Sequence, residues 1–301
     1  MRRVCPCARL AQAVAISKDC PVYIIEPHIH MYSRTTDDYQ AMYRAGIRVV
    51  VEPSFWLGAN RRYAGTFFDY FHLLLTFEPV RAARYGIDHY CCISCNPKEA
   101  ENRALVDEVA AGMNEYLEHP RCLGVGEIGL NNITDNEVYA FRKQLLMAEE
   151  RQMPILVHLP HFDKARGAQI TVDLIRAEGL TQRRIEIDHN TEDTMPITRR
   201  TDCFTGLTVY PYSKLNPERV SHIVREYGAE RMIVNGSADW GVSDPLSLPK
   251  TIEFLKQDGH EERTLQMLFH DNAYEFYGQS PKWKPNYNIA PIPVSQYQRQ
   301  P

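Results

Sequence analysis

Two histidines separated by one residue stand where a short apolar segment ends. The apolar segment at 22–25 leads into Glu-Pro-His-Ile-His at 26–30. An apolar run of this length is typical of a buried strand. Because side chains alternate between the two faces of a strand, His28 and His30 are predicted to point the same way. Two neighbouring imidazoles suit a transition metal ion, although a half-exposed strand with two solvated histidines gives the same pattern.

Further residues of metal-binding type follow apolar segments later in the chain. They are Glu127, His158, His189 and Asp239. Histidine and carboxylate ligands together suit Zn, Mn, Fe or Co. Because one zinc ion needs only three or four protein ligands, this larger set indicates two divalent metal ions joined by a bridging group. A metal-bound hydroxide at such a site would attack a phosphoester, ester, lactone or amide, because metals lower the pKa of bound water.

The elements that would position these side chains alternate along the chain. Eight apolar segments are predicted strands, and helical patterns separate them, for example at 97–118, 137–152 and 217–227. This alternation predicts an α/β fold of the (β/α)8 TIM-barrel type. Barrel enzymes assemble their active sites at the C-terminal ends of the strands, where all the candidate ligands fall. A doubly wound open sheet is the alternative, but no glycine-rich phosphate-binding motif follows the first strand.

A single barrel domain accounts for most of the 301 residues. We predict an N-terminal extension at 1–21, the barrel domain at 22–278 and a proline-rich C-terminal tail at 279–301. The tail holds five prolines and little periodicity, which is typical of an extended arm or a disordered segment.

Composition bears on the location of the protein and on its partners. No apolar segment approaches the roughly 20 residues that span a bilayer, and the N-terminus lacks the apolar core of a signal peptide. A cytoplasmic protein with reduced cysteines is therefore expected. Cys92 and Cys95 have the spacing of half a zinc site, but no second half follows, so a packed role is favoured. The formal net charge of −4 favours a small-molecule substrate over nucleic acid.

Several aromatic and polar residues near the predicted strand ends are candidates for binding a substrate. Trp56 lies in an aromatic-rich stretch at 54–71, which would form either a lid or a packed loop. Trp240 follows Asp239 directly and is expected to form a wall of the pocket. His161 follows the fifth strand and is expected to reach the substrate. Further candidates are Tyr32, Tyr210 and Lys214.

The motifs resemble those of TatD-like hydrolases, a branch of the amidohydrolase superfamily. The similarity covers about residues 22–278 and includes the motifs at 26–30, 126–130, 157–158, 188–189, 238–239 and 270–278. Gly-Glu-Ile-Gly-Leu at 126–130 is the most specific of them. The resemblance implies a TIM-type barrel of the metallo-dependent hydrolase type with two metals.

The resemblance also implies a role for each candidate ligand. One metal would be held by His28, His30 and Asp239. The other would be held by His158 and His189. Glu127 would bridge the two, and Asp239 would also take the proton from the attacking water.

Three motifs depart from the pattern of TatD nucleases. Glu-Pro-His at 26–28 stands where Asp-Thr-His is usual, and Ser-Ala-Asp at 237–239 stands where Glu-Thr-Asp is typical. Leu159 and Pro160 replace the usual polar residue and arginine. The segments at 26–30 and 51–58 are closer to TatD-related proteins of the EboB type. A small-molecule hydrolase is therefore preferred to a TatD-type 3′–5′ DNase, and a metal-dependent binding protein for a small metabolite is the non-enzymatic alternative.

Overall fold

Eight parallel strands and the helices between them build the protein. The computed structural model describes residues 23–293 and residue 296. The strands form one sheet in chain order. They are β1 (Ile24–Glu26), β2 (Ile47–Pro53), β3 (Asp88–Ile93), β4 (Cys122–Gly129), β5 (Ile155–His158), β6 (Ile185–Asp188), β7 (Phe204–Thr208) and β8 (Met232–Asn235).

Helices follow the strands and cover the outside of the sheet. They are α1 (Thr36–Arg44), α2 (Ala64–His72), α3 (Glu78–Ala83), α4 (Arg103–Leu117), α5 (Asp135–Glu150), α6 (Lys164–Ala177), α7 (Met195–Thr198), α8 (Pro217–Tyr227), α9 (Ser247–Gln257), α10 (Glu262–Gln266) and α11 (Asn272–Tyr277). Strands such as β3 and β4 are buried along their whole length, because one face packs inside the sheet and the other packs on helices.

Hydrogen bonds join the first and last strands just beyond their C-terminal ends. The Ser237 N–H donates to the His28 carbonyl at 2.7 Å, and the His30 N–H donates to the Ala238 carbonyl at 2.9 Å. The sheet therefore curls until the segments after β1 and β8 meet. The predicted (β/α)8 barrel is confirmed.

The aromatic-rich stretch at 54–71 is not a loop along its whole length. α2 begins at Ala64 inside it, and a π-helical segment, Leu73–Phe77, connects α2 to α3. Phe68 of α2 stacks on Tyr116 of α4, with ring centroids 5.7 Å apart. Packing between helices thus orders the second half of the stretch.

The start of the C-terminal tail packs across the N-terminal end of the barrel. Trp283 is buried against Tyr90 of β3, with ring centroids 5.1 Å apart. The Asn286 N–H donates to the Asp88 carboxylate at 2.8 Å, and Tyr287 stacks on Tyr23. This part of the predicted tail is an ordered arm. The predicted extension at 1–21 and the end of the tail lie outside the described residues.

The cysteines of the described part pack in the protein core without disulfide bonds. Its cysteines are all unpaired and buried, and they are Cys91, Cys92, Cys95, Cys122 and Cys203. Burial raises the pKa of Cys95 to about 12, so its thiol stays protonated. Cys92 and Cys95 pack in different hydrophobic clusters, and the group of possible metal ligands in the described residues includes neither of them. Between residues 23 and 293, no helix is both long and apolar enough to cross a bilayer.

Candidate metal centre

Most of the predicted metal ligands come together at the C-terminal end of the barrel. The side chains that do so are His28 and His30 after β1, Glu127 in β4, His158 at the end of β5 and His189 after β6. None of them is more than 6% exposed. Parallel strands end at the same edge of a sheet, which is why residues distant in sequence meet here.

Three imidazole rings converge on one oxygen of Glu127. Its Oε1 lies 3.3 Å from His28 Nε2, 3.2 Å from His158 Nδ1 and 3.2 Å from His189 Nε2. Burial favours the neutral acid, but the histidines hold the pKa of Glu127 well below its usual range. Glu127 is therefore an ionised carboxylate in a dry site. The amide of Asn96 donates to its other oxygen at 3.3 Å.

Asp188 fixes the ring of His28. Its Oδ2 lies 2.6 Å from His28 Nδ1, so that nitrogen donates to the carboxylate and Nε2 faces the centre. The other oxygen of Asp188 accepts from the His189 N–H, Asn235 and Thr208 at 2.6, 2.9 and 3.1 Å. These contacts hold the carboxylate in one orientation. An aspartate that orients a ligating histidine in this way is common in metal sites.

The other histidines are held as neutral rings. Burial is the largest cause that lowers the pKa values of His30, His158 and His189. His30 Nε2 lies 3.2 Å from His28 Nε2, so two ring nitrogens face each other across the centre. Neutral imidazole is the form that binds a metal.

His189 adopts an uncommon backbone conformation. Its φ of 62° lies in the left-handed region, which residues with a Cβ seldom occupy. Its Nδ1 lies 2.6 Å from the hydroxyl of Thr208, and its Nε2 faces Glu127. The turn after β6 thus aims the ring at the centre, and Thr208 fixes its rotation.

The chemistry of the cluster fits a divalent metal ion. Each of His28, Glu127 and His189 offers one ligand atom, and these atoms lie within 4.8 Å of one another. His158 Nε2 is buried and has no hydrogen-bond partner in the described part of the chain. A buried polar atom without a partner is costly, and neutral imidazoles beside an ionised carboxylate form a donor set for Zn, Mn, Fe or Co.

Asp239 lies apart from this cluster. Its Oδ1 accepts from the Tyr210 hydroxyl at 2.8 Å and from the Gly241 N–H at 2.7 Å. The group of possible ligands whose atoms lie within 4.8 Å of one another holds His28, Glu127 and His189, and it includes neither Asp239 nor His30 and His158. The roles of Asp239 as metal ligand and general base stay predictions, as do the metal-binding roles of the other residues.

A cavity of about 670 Å³ opens beside the centre. Trp56 and His161 line it, as expected for substrate contacts, and the His161 ring centroid lies 5.8 Å from that of His158. Trp240 instead packs on Trp56, at a centroid distance of 5.8 Å, and is 44% exposed. The substrate-binding roles of these three residues are untested predictions.

Two lysines lie beside the centre and add positive charge to its surroundings. Lys214 Nζ lies 3.3 Å from His189 Nε2 and 3.2 Å from Ser237 Oγ. Lys98 lines the cavity, and its ammonium lies 4.4 Å from the ring centroid of Trp56. Of these two, sequence reasoning singled out only Lys214. Lys98 and Asn96 follow β3 directly, so the same strand-end rule could have found them.

The sequence matches the family described as TatD related DNase over residues 25–236. An uncharacterized metal-dependent hydrolase of Methanocaldococcus jannaschii is 25% identical over 259 residues, which cover 84% of this chain and 99% of that protein.

Solved structures share the fold. A TatD-like protein from Archaeoglobus fulgidus has a TM-score of 0.71 and 24% identity, with 84% of this chain and 99% of that chain covered. A lactonase from Listeria monocytogenes has a TM-score of 0.60 and 13% identity, with 85% of this chain and 94% of that chain covered. At these identities the likeness shows the barrel alone. The resemblance to EboB-type proteins stays a prediction.

Proposed function

The chain belongs to the TatD related DNase family and is a metal-dependent hydrolase, and from this premise we propose that it cleaves a small molecule at a centre of two divalent ions. The bond cleaved would be a phosphoester, ester, lactone or amide. The observation that carries the proposal is the convergence of three imidazole nitrogens on Glu127 Oε1, beside a cavity of about 670 Å³. A cavity of this volume suits a small organic ligand.

The proposed ligands divide between the two ions. His28, His30 and Asp239 would hold the first ion. His158 and His189 would hold the second, and Glu127 would lie between the two. The buried Nε2 of His158, which has no hydrogen-bond partner in the described part of the chain, and the orientation that Asp188 gives to the His28 ring support this assignment.

The chain's own side chains would orient the substrate and move the proton. Bound divalent ions supply an acidified water molecule and a polarised substrate bond. Asp239 Oδ1 is engaged by Tyr210 and Gly241, whereas Oδ2 has no hydrogen-bond partner among the residues described. We therefore assign Oδ2 to accept the proton of the attacking water. Trp56, His161 and Trp240 are the proposed substrate contacts.

A panel of small substrates tests the proposal. Zinc- or manganese-loaded protein is assayed with a 4-nitrophenyl ester, a bis(4-nitrophenyl) phosphate, a lactone and an anilide. We expect turnover of at least one substrate and its loss in Glu127→Gln, which keeps the size of the side chain but not its charge. His222→Asn is the matched control, because this histidine is exposed on α8 and contacts no ligand. Equal turnover by Glu127→Gln would contradict the proposal.

A 3′–5′ DNase is the second candidate function, and the family description supports it. Phosphate contacts make nucleic-acid binding strongly salt-dependent. We expect weak binding of single-stranded DNA at about physiological ionic strength. Tight, salt-sensitive binding with stepwise release of nucleotides would favour the nuclease. A purely metabolite-binding role does not fit a hydrolase family, and the cytoplasmic location stays a prediction from the sequence.

A further inference from the structure

Three lysines that follow different strands lie near His161, which lines the mouth of the cavity. Lys98 lines the cavity. Lys164 Nζ donates to the His189 carbonyl at 2.8 Å, and Lys214 Nζ lies 3.3 Å from the ring of the same histidine. The pKa of His161 is lowered to about 3, first by desolvation, then by a neighbouring histidine, and then by the charges of all three lysines. The mouth is therefore a region of concentrated positive charge.

No carboxylate forms a salt bridge with any of these three ammonium groups in the part of the chain that the structure describes. Other lysines are paired, as in Lys143 with Asp107 at 2.9 Å and Lys250 with Asp244 at 2.5 Å. Lys98 is half-buried, and its Nζ lies 4.4 Å from the ring centroid of Trp56. Glu127 and Asp239 favour its charged form, but neither forms a salt bridge with it at this half-buried position.

Partial burial opposes the charges of these lysines. For Lys98 it is the main cause that lowers the pKa of the ammonium group. Burying an unpaired cation costs free energy, and an incoming anion offsets that cost. An ammonium group carries several N–H donors, and Lys98 uses none of them on an oxygen or nitrogen of the described residues.

The walls of the cavity suit a small organic molecule rather than an inorganic ion alone. Phe162 is 84% exposed and Tyr212 is 97% exposed, and both line the cavity together with Trp56. Exposed aromatic faces beside a few polar groups are typical of a ligand pocket. The cavity therefore combines aromatic surface with unpaired positive charge.

We infer that the substrate of the proposed hydrolase carries an anionic group, a carboxylate or a phosphate, separate from the bond that is cleaved, and that Lys98 and Lys214 bind this group. Trp56 and Phe162 contact the apolar body of the same molecule. The inference rests on the proposed function, because it places the anionic group beside the bond-cleaving centre.

The presence of a charged lysine at position 214 needs no anionic substrate, because three carboxylates lie near it. Glu127, Asp188 and Asp239 all stabilise its charged form. Glu127 and Asp239 also favour the charged form of Lys98, but no salt bridge joins them to it. Lys98 provides the sharper test, because it lies on the cavity wall and forms no hydrogen bond with a proposed metal ligand. Lys98→Met keeps the length and apolar stem of the side chain and removes its charge. Lys250→Met is the matched control, because Lys250 is exposed on α9 and already paired with Asp244.

The test measures binding of three related probes to zinc-loaded protein by calorimetry. Benzoate carries a carboxylate, phenylphosphonate carries a phosphate-like group, and benzamide is the neutral counterpart. We expect at least one anion to bind about tenfold or more tightly than benzamide. Lys98→Met should lose most of this preference and Lys98→Met/Lys214→Met all of it, while Lys250→Met keeps it. Whichever of the two anions binds more tightly shows whether the anionic group of the substrate is a carboxylate or a phosphate.

Two outcomes would overturn the inference. One is an equal affinity of wild-type protein for the anions and for benzamide. The other is an anion preference that persists in both lysine variants at unchanged zinc content, which would assign the anion to the metals alone. Turnover of a neutral ester in the same preparations separates the two proposals: if turnover persists without a lysine-dependent preference, the inference is wrong and the hydrolase stands. If instead the lysines give a preference for anions but no substrate is turned over, the anion site stands and the proposed hydrolase function is wrong.

Discussion

Two buried histidine–carboxylate pairs lie in the same barrel, and their surroundings differ. His28 contacts Asp188 at 2.6 Å, and His89 contacts Glu52 at 2.8 Å. All four side chains are fully buried. The second ring nitrogen of His28 lies near Glu127, so the first pair adjoins the cluster of proposed metal ligands. The one cluster of three or more possible ligands in the described residues includes neither His89 nor Glu52.

The carboxylates of the two pairs also differ in charge. Burial opposes ionisation of Asp188, but His189 and His28 hold its pKa well below its usual range. Burial and the nearby Glu78 raise the pKa of Glu52 well above its usual range. Burial lowers the pKa of His89 to about 4, so the second pair is neutral. A buried histidine–carboxylate pair can thus orient a metal ligand where several hydrogen-bond donors keep the carboxylate ionised, as at Asp188. Where the pair is neutral, as at Glu52, it is an internal hydrogen bond.

The largest expected effect belongs to Asp239, a carboxylate that contacts a tyrosine rather than a histidine. Asp239→Asn keeps the shape of the side chain but cannot accept a proton. We expect kcat to fall by roughly 10²–10⁴-fold, as for loss of a general base. Steady-state kinetics on metal-loaded protein provide the measurement. Tyr210→Phe, which removes one hydrogen bond to Asp239, should cost far less. Near wild-type turnover of Asp239→Asn at full metal content would show that another group, such as His161, is the base.

The next effect separates the two pairs directly. Asp188→Asn removes the charge behind His28, and we expect metal affinity to fall by about 10–100-fold. Glu52→Gln is the matched substitution in the second pair and should leave metal affinity unchanged. Competition with a chelator measures both affinities. Equal losses in the two variants would mean that the contrast between the pairs has no bearing on metal binding.

The smallest expected effect is on the pH dependence of stability. A group whose pKa is raised on folding stabilises the folded state at pH values below its unfolded pKa. This stabilisation is lost as the pH rises from the unfolded pKa to the folded pKa. For Glu52 the loss begins near the ordinary value of 4.5. Glu52→Gln should therefore gain stability relative to wild type as pH rises, by up to about 1.4 kcal/mol per pH unit.

Denaturant unfolding at about pH 5 and about pH 8 measures this difference. His89 does not complicate the upper part of this range, because it is neutral in both states above its ordinary pKa of 6.5. A difference in unfolding free energy that stays constant with pH would show that Glu52 is ionised in the folded protein.

The sequence was informative wherever a local pattern decides the structure. Apolar segments predicted eight strands, and each candidate ligand before β8 lies at or near a strand end in the structure, as His158 and His189 show. The orientation of Asp239 was not predictable, because it depends on Tyr210, which lies on a different loop. For the segment after α11 the sequence left an extended arm and a disordered tail open, because Trp283 and Tyr287 pack without helical or strand periodicity. Long-range packing decides both cases.

The metal content of the purified protein tests the central claim most directly. After reconstitution with excess zinc or manganese and removal of unbound ions, elemental analysis should give about two ions per chain for the wild-type protein. Glu127→Gln, which removes the charge at the point where the three imidazoles converge, should retain at most about one. A reproducible wild-type content near zero, in protein that is folded by circular dichroism, would contradict the account.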